Sequence, residues 1–388
     1  MNTMTTERVC TLLCDMIRCD TINPMGRPHK LTRTVERPLV DLLESVFADT
    51  GAVVTPMPVS ELHENLEIRI AGRQDGPPLF FESHMDTVPA DDWLDTALIP
   101  RVDGDIVYGR GACDDKGPLA SMVAAVLDIL ESGEPPPYPV ILLAAGDEES
   151  AQTGIRQYVS DHRGPYQIAV FGEPTSNVPV IQHKGVVRWD ITIRGVSAHT
   201  SQPEFGRNAI HDMIKVIRRL ADYQDEIEAL HSNPLMSGPR INVTRIDGGR
   251  TRNAVPDECT IWVDYRIMPG LDSAEERQKV IDDLAQLGLD ITHAEPQVAM
   301  PPLSTHPDSA LVRQAAATSS EVTGRKIAPL GAPYGTDAAW IDTGTPTLVI
   351  GPGDIKHAHA IDEFVTMTEV MQCAEIHRRL MMHDWRAE

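Results

Sequence analysis

Residues Pro139–Ala145 read Pro-Val-Ile-Leu-Leu-Ala-Ala and stop at Gly146. An unbroken apolar run of that length, closed by proline and glycine, fits a strand covered on both faces. Such a strand belongs to a largely parallel sheet with helices above and below. No other stretch limits the fold as strongly. The run continues as Gly146-Asp147-Glu148-Glu149-Ser150. Three consecutive acids at the mouth of an apolar strand are costly unless they are paired or bound to a cation.

Further elements agree with an α/β domain. Helical spacing of apolar residues predicts helices over 5–19 and 33–50, and again over Pro118–Ser132, where Pro118 suits the first turn. Leu66–Ala71, Pro78–Glu82 and Gln167–Phe171 read as strands. From Val186 the pattern changes, because Val187, Trp189, Ile191 and Ile193 alternate with polar residues as in a half-exposed antiparallel strand. A helix near Gly206–His231 follows, then strands near Arg240–Ile246 and Cys259–Ile267. A helix near Ser273–Leu287 and a strand near Asp290–His293 complete a β-α-β-β-α-β order. The α/β pattern resumes after Leu303, with Leu348–Ile350 as a strand and Met367–Met382 as a closing helix. The expected organisation is a discontinuous catalytic domain, 1–180 with 294–388, and an inserted ferredoxin-like domain, 181–293. A length of 388 residues suits two domains.

Charge narrows the partners. The chain carries 57 acidic and 34 basic residues, a formal net charge of -23. That surface repels nucleic acid and anionic membranes, so neither is expected as a partner. Of six cysteines, Cys10, Cys14 and Cys19 suit buried thiols on one helix face, and no disulfide framework is expected. The polar start and the lack of a long apolar stretch make the cytoplasm the expected location.

Chemistry gathers at strand ends. His84-Met85-Asp86 follows the apolar Leu79-Phe80-Phe81, at the carboxyl end of a strand, where open α/β sheets place ligands. A ligating imidazole commonly donates its other N–H to a carboxylate, and Asp86 is well placed for that. Gly109-Arg-Gly-Ala-Cys-Asp114-Asp115-Lys116-Gly117 leads into a helix, and its adjacent carboxylates repel each other unless a cation lies nearby or one of them caps the helix. In Glu148-Glu149, neighbouring side chains point opposite ways, so one can face a metal and the other a substrate. Glu173 follows the strand Gln167–Phe171. His357-Ala-His359-Ala-Ile-Asp362-Glu363 offers two histidines for one ligand position, with Asp362 and Glu363 able to hold the chosen one. Mixed imidazole and carboxylate donors suit zinc, manganese or cobalt. Two such ions sharing a carboxylate form a hydrolytic clamp.

The chain resembles the M20 metallopeptidase family over His84–Pro89, Gly109–Gly117, Gly146–Glu149, Gly172–Thr175, Gly195–Ala209 and His359–Glu363, in the family's order. The resemblance implies that His84, Asp114 and Glu173 bind one metal ion and that Asp114, Glu149 and His359 bind the other. Two divalent ions, zinc first and cobalt or manganese otherwise, are the implied cofactors. Asp86 would orient His84, and Glu148 would be the general base that moves a proton from the attacking water to the leaving amine. His199 would reach the oxyanion, in dimeric members from the partner subunit. Asn253 and Arg266 fall where the family's lid holds the substrate's carboxylate, and Gly335 and Thr336 match the family's Gly-Thr-rich substrate-binding loop. The Asp114–Asp115 peptide would be cis. The implied function is hydrolysis of the amide of an N-acyl amino acid or a similar small carboxylate, with a homodimer formed through the inserted domain. A di- or tripeptidase or a carboxypeptidase on the same scaffold is the alternative. A non-catalytic binding protein is the remote one, opposed by the complete ligand set.

Overall fold

The computed structural model describes residues 4–162, 164–342 and 344–387. They form two compact units. One comprises Met1–Ile181, Thr305–Leu330 and Thr336–Glu388, and the other Gln182–Ser304 with Gly331–Gly335. The sequence boundary at 293 falls short of the second unit's end, because strand Val298–Met300 still pairs with Gly185–Arg194.

In the first unit the strands run in the order Val53–Pro58, Glu64–Ile70, Val140–Ala145, Leu79–His84, Ala169–Phe171, Thr347–Val349. The last four are mutually parallel, and the first two are antiparallel to their neighbours. Every residue of Val140–Ala145 is buried, which is why that run carries no polar alternation. Register aligns the strand ends: His84 lies opposite Ala145, and Glu82 and Val349 both lie opposite Phe171. The segments that follow these strands therefore leave along one edge of the sheet.

Helices cover both faces. Phe80 packs its ring 5.6 Å from Tyr158 of helix Thr153–Asp161, while the next residue, Phe81, points the other way to His377 of helix Met367–Met382 at 6.0 Å. Helix Lys116–Ser132 is buried from Lys116 to Ile129, so it reads as apolar on all sides. It begins two residues before Pro118, and Asp115 stands at its N-cap without making a capping hydrogen bond. Several elements escaped the sequence reading, two strands among them for clear physical reasons. Strand Val53–Pro58 contains Pro56 and Pro58 and sits at a sheet edge, where a missing N–H costs no ladder bond. Ile106–Tyr108 is too short for a period and is fixed by pairing with Arg101–Asp103 and Phe364–Thr366.

The second unit is an antiparallel sheet, in the order Arg240–Gly248, Glu258–Ile267, Gly185–Arg194, Ile291–His293. Helices Ala209–Leu230 and Ser273–Ala285 supply the remaining members of the β-α-β-β-α-β order. The inward residues Trp189, Ile191, Ile193, Ile261, Val263 and Tyr265 pack on Met213, Val216, Val280 and Leu284. Among the described residues no helix is long and apolar enough to cross a membrane.

Candidate metal centre

His84 ends its strand and is buried. Its Nδ1 lies 2.9 Å from the carbonyl oxygen of Asp86, and its Nε2 lies 3.1 Å from Asp114 Oδ1. The carbonyl accepts the Nδ1–H, so the Nε2 lone pair faces the carboxylates, as a metal ligand requires. The Asp86 carboxylate does something else. Its Oδ1 stands 3.6 Å from Nδ1, beyond a hydrogen bond. It accepts the backbone N–H of Glu148 at 3.0 Å and of Glu149 at 3.3 Å, and the Asn23 amide at 2.8 Å. The spacing of His84 and Asp86 predicts the orienting role for that side chain. The structure gives it to the main chain and uses the carboxylate to pin the acidic turn.

Asp114 sits between the two histidines. Its Oδ2 is 3.3 Å from His359 Nε2, which is also 3.2 Å from Glu149 Oε2. The Asp114–Asp115 peptide is cis. The backbone here is tied down from the far end of the chain. Glu363 Oε1 accepts N–H groups of Cys113 and Asp114 at 2.8 and 2.9 Å, and Glu363 Oε2 pairs with the buried Arg110 at 2.5 Å. Glu363 thus holds the Asp114 loop, not His359 as the sequence suggested. His357 turns away and packs on Phe364 at 4.1 Å.

These side chains fall into two groups with ligand atoms within 4.8 Å of one another: His84, Asp114, Asp115 and Glu173, and Asp114, Glu149 and His359. Asp114 belongs to both. Burial opposes its ionisation, but the hydrogen bonds and charges of His359 and His84 outweigh this and hold its carboxyl below the usual range. Burial and the Asp114 charge push Glu149 and Glu173 the other way. Hydrogen bonds to Asp114 and Glu149 raise the His359 imidazole to about 10. Glu149 Oε1 and Asp115 Oδ1 are buried without a hydrogen-bond partner. Clustered buried carboxylates with unpartnered oxygens, faced by two imidazole nitrogens, fit divalent cations.

Glu148 lies beside this set. Gln152 Nε2 donates to its Oε1 at 3.0 Å. Burial, then the charges of Glu149, Asp86 and Asp114, raise its carboxyl to about 8, so it can carry a proton near neutrality.

The remaining expected residues lie elsewhere. His199 is exposed in the second unit, where Ser201 N–H donates to its Nδ1 at 3.1 Å and so favours a proton on Nε2. Asn253 is its neighbour: residue 199 bridges Ala254, and the Asn253 carbonyl accepts from Thr200 N at 3.2 Å. Arg266 donates to Asp264 at 2.7 Å, and Asp264 also accepts from Arg188 at 2.7 Å. Gly335 leaves no room for a Cβ beside the Met300 side chain. Thr336 is buried and caps the turn Asp337–Trp340 through Ala338 N at 3.3 Å. Reading the sequence missed Asn23 and Gln152, which lie outside the motifs, and Arg110, which lies within Gly109–Gly117 but acts through Glu363, far along the chain.

Comparisons with known proteins agree with this geometry. The model of Peptidase family M20/M25/M40 matches residues 80–383. Acetylornithine deacetylase of Yersinia pseudotuberculosis serotype O:1b (strain IP 31758) is 31% identical over 360 residues, covering 89% of this chain and 90% of that protein. Acetylornithine deacetylase of Proteus mirabilis (strain HI4320) is 30% identical over 363 residues, covering 90% of each. The crystal structure of a tripeptidase from Staphylococcus aureus superposes with a TM-score of 0.78 at 20% identity, covering 98% of both chains, and so shares the fold. The chain therefore belongs to Peptidase family M20/M25/M40, as a metal-dependent hydrolase of amide bonds.

Proposed function

We propose that this protein removes the acyl group from an N-acyl amino acid, or from a similar small amide bearing a carboxylate. The observation that carries the reading is the place of Asp114 in both ligand groups with Glu148 alongside. His84, Asp114 and Glu173 would hold one divalent ion, and Asp114, Glu149 and His359 the other. The donor set makes zinc the first choice, with cobalt or manganese as substitutes. When bound, the ions supply Lewis acidity that makes water acidic near neutrality and polarises the amide carbonyl.

The protein's own groups do the rest. Glu148 takes one proton from the attacking water and delivers it to the departing nitrogen. The Asp86 carboxylate fixes the main chain of Glu148 and Glu149, which sets the direction in which each side chain leaves. His199, protonated on Nε2, donates to the developing oxyanion. Asn253 and Arg266 recognise the substrate carboxylate, for which Arg266 must share or leave Asp264. Gly335 and Thr336 shape the same recognition loop. The second unit is the surface for a homodimer. The relatives named acetylornithine deacetylase support a blocked amino acid as substrate.

The test is release of free amine by the metal-loaded protein from a panel of N-acetyl, N-succinyl and N-carbamoyl amino acids and simple dipeptides. Glu148→Ala is the control. Turnover of a blocked amino acid that vanishes in the control is the expected result. Turnover of dipeptides alone places the protein among peptidases, and silence with two metals bound overturns the substrate class.

A further inference from the structure

Gln152 belongs to none of the stretches that carry the family resemblance. It stands before helix Thr153–Asp161 with φ 55° and ψ 33°, and its N–H donates to the Asp147 carbonyl at 2.6 Å. Its side chain bridges two residues far apart in sequence. Nε2 donates to Glu148 Oε1 at 3.0 Å, and Oε1 accepts from Trp340 Nε1 at 2.9 Å. An indole N–H can only donate. The Gln152 atom facing Trp340 must therefore be the oxygen, and the amide nitrogen must face Glu148. Trp340 thus fixes an amide whose two ends would otherwise be interchangeable. Trp340 is held in turn, with the Arg156 guanidinium 4.9 Å from its ring centroid.

We propose that Gln152, locked by Trp340, is a positioning residue for Glu148 that reserves Oε2 for proton transfer. This rests on the reading of Glu148 as the base. A free carboxylate has two equivalent oxygens and turns between them. A fixed donor on Oε1 lowers the basicity of that atom and stops the turning. Oε2 then takes the proton of the attacking water and passes it to the nitrogen whose bond to the carbonyl carbon breaks. The proton count closes over the cycle, with Glu148 returned to its carboxylate. A glutamine suits this place because it orients the base without adding a positive charge that would quench it, as lysine or arginine would. The bond acts on proton transfer and not on substrate binding, so its loss should appear in kcat and not in KM.

Gln152→Met keeps the length of the side chain and removes both hydrogen bonds. Its kcat is expected to fall roughly 10–100-fold with KM little changed. Trp340→Phe leaves Gln152 in place but frees its amide to turn. It should lower kcat in the same direction and have no further effect in the Gln152→Met background. A readout independent of turnover uses the metal-free protein. The Trp340 indole N–H signal, identified as the one lost in Trp340→Phe, should move in Gln152→Met. Wild-type kcat in both single variants, additive effects in the double variant, or an unmoved indole signal overturns the proposal. Where Gln152→Met does not fold, Trp340→Phe decides alone, and unchanged kcat overturns it. Glu148→Ala run alongside separates the two readings. If it keeps activity, the base assignment fails. If it is inactive while Gln152→Met is unimpaired, only the positioning role fails.

Discussion

The ring of His84 is oriented by the main-chain carbonyl of Asp86, at 2.9 Å from Nδ1, while the Asp86 carboxylate stands 3.6 Å away and anchors the N–H groups of Glu148 and Glu149. One residue thus serves two masters with two different parts. Its backbone sets the tautomer of the proposed ligand, and its side chain sets the acidic turn.

Asp86→Ala should therefore separate metal binding from turnover. The variant keeps the carbonyl, so His84 keeps its orientation and two metals stay bound. The acidic turn loses its acceptor, and kcat falls roughly 10–100-fold. Metal analysis beside steady-state kinetics checks this. Loss of metal ahead of activity would show that the carboxylate governs His84.

Asp114 is common to both ligand groups, whereas Glu173 is in one. Asp114→Asn should lose both ions at submicromolar free metal, and Glu173→Gln only one. Titration of each variant with zinc, followed by metal content after desalting, distinguishes the two. Equal stoichiometry in both variants would remove Asp114 from the bridging position.

Metal binding should release protons. Burial and neighbouring charge hold the Glu173 and Glu149 carboxyls above their usual range, and His359 sits at about 10. Near neutral pH the His359 imidazole carries a proton that a cation must displace, and the upward shifts of Glu149 and Glu173 act in the same direction. Calorimetric titration of the metal-free protein in buffers of different ionisation enthalpy measures the count. A value indistinguishable from zero at pH 7 would contradict the assigned electrostatics.

Arg110 and Glu363 form a buried ion pair that ties the Asp114 loop to the end of the chain. Arg110→Met leaves a carboxylate without its partner and should cost about 3–5 kcal/mol of stability. The double variant Arg110→Met/Glu363→Gln should recover part of that loss, because it removes the orphaned charge while keeping an acceptor for the two N–H groups. Urea unfolding of the metal-free proteins tests both. Additive losses would argue against the pairing.

His377 is fully buried between Ser121, Cys373 and Phe81, and burial lowers its imidazole from 6.5 to about 4. Between those values the unfolded chain binds a proton that the fold excludes. The stability is fully present above pH 6.5 and falls as pH drops toward 4, by up to about 1.4 kcal/mol per pH unit. Unfolding midpoints of the metal-free protein from pH 7 to 4 should fall less steeply in His377→Gln than in wild type. Parallel slopes would show that another group carries the acid limb.

Much of this was legible in the chain itself. An apolar run without alternation implies a strand covered on both sides, and Val140–Ala145 is that strand. The alternation of Val187, Trp189, Ile191 and Ile193 implies a sheet with one buried face, and these residues line the second unit's core. The acids and histidines that follow the strands were visible because burying such groups is expensive, so their place beside apolar segments calls for a reason.

Tertiary structure decided the rest, because hydrogen bonds between distant residues leave no local period. It turned the Asp86 carbonyl rather than the carboxylate toward His84, gave Glu363 to the Asp114 loop, and brought Trp340 to Gln152 and Gln152 to Glu148. Sequence alone determined which side chains had to be costly and at which strand ends they lay. Only the fold, through parallel register that brings those ends to one edge, decided which of them meet and which atom of each does the holding.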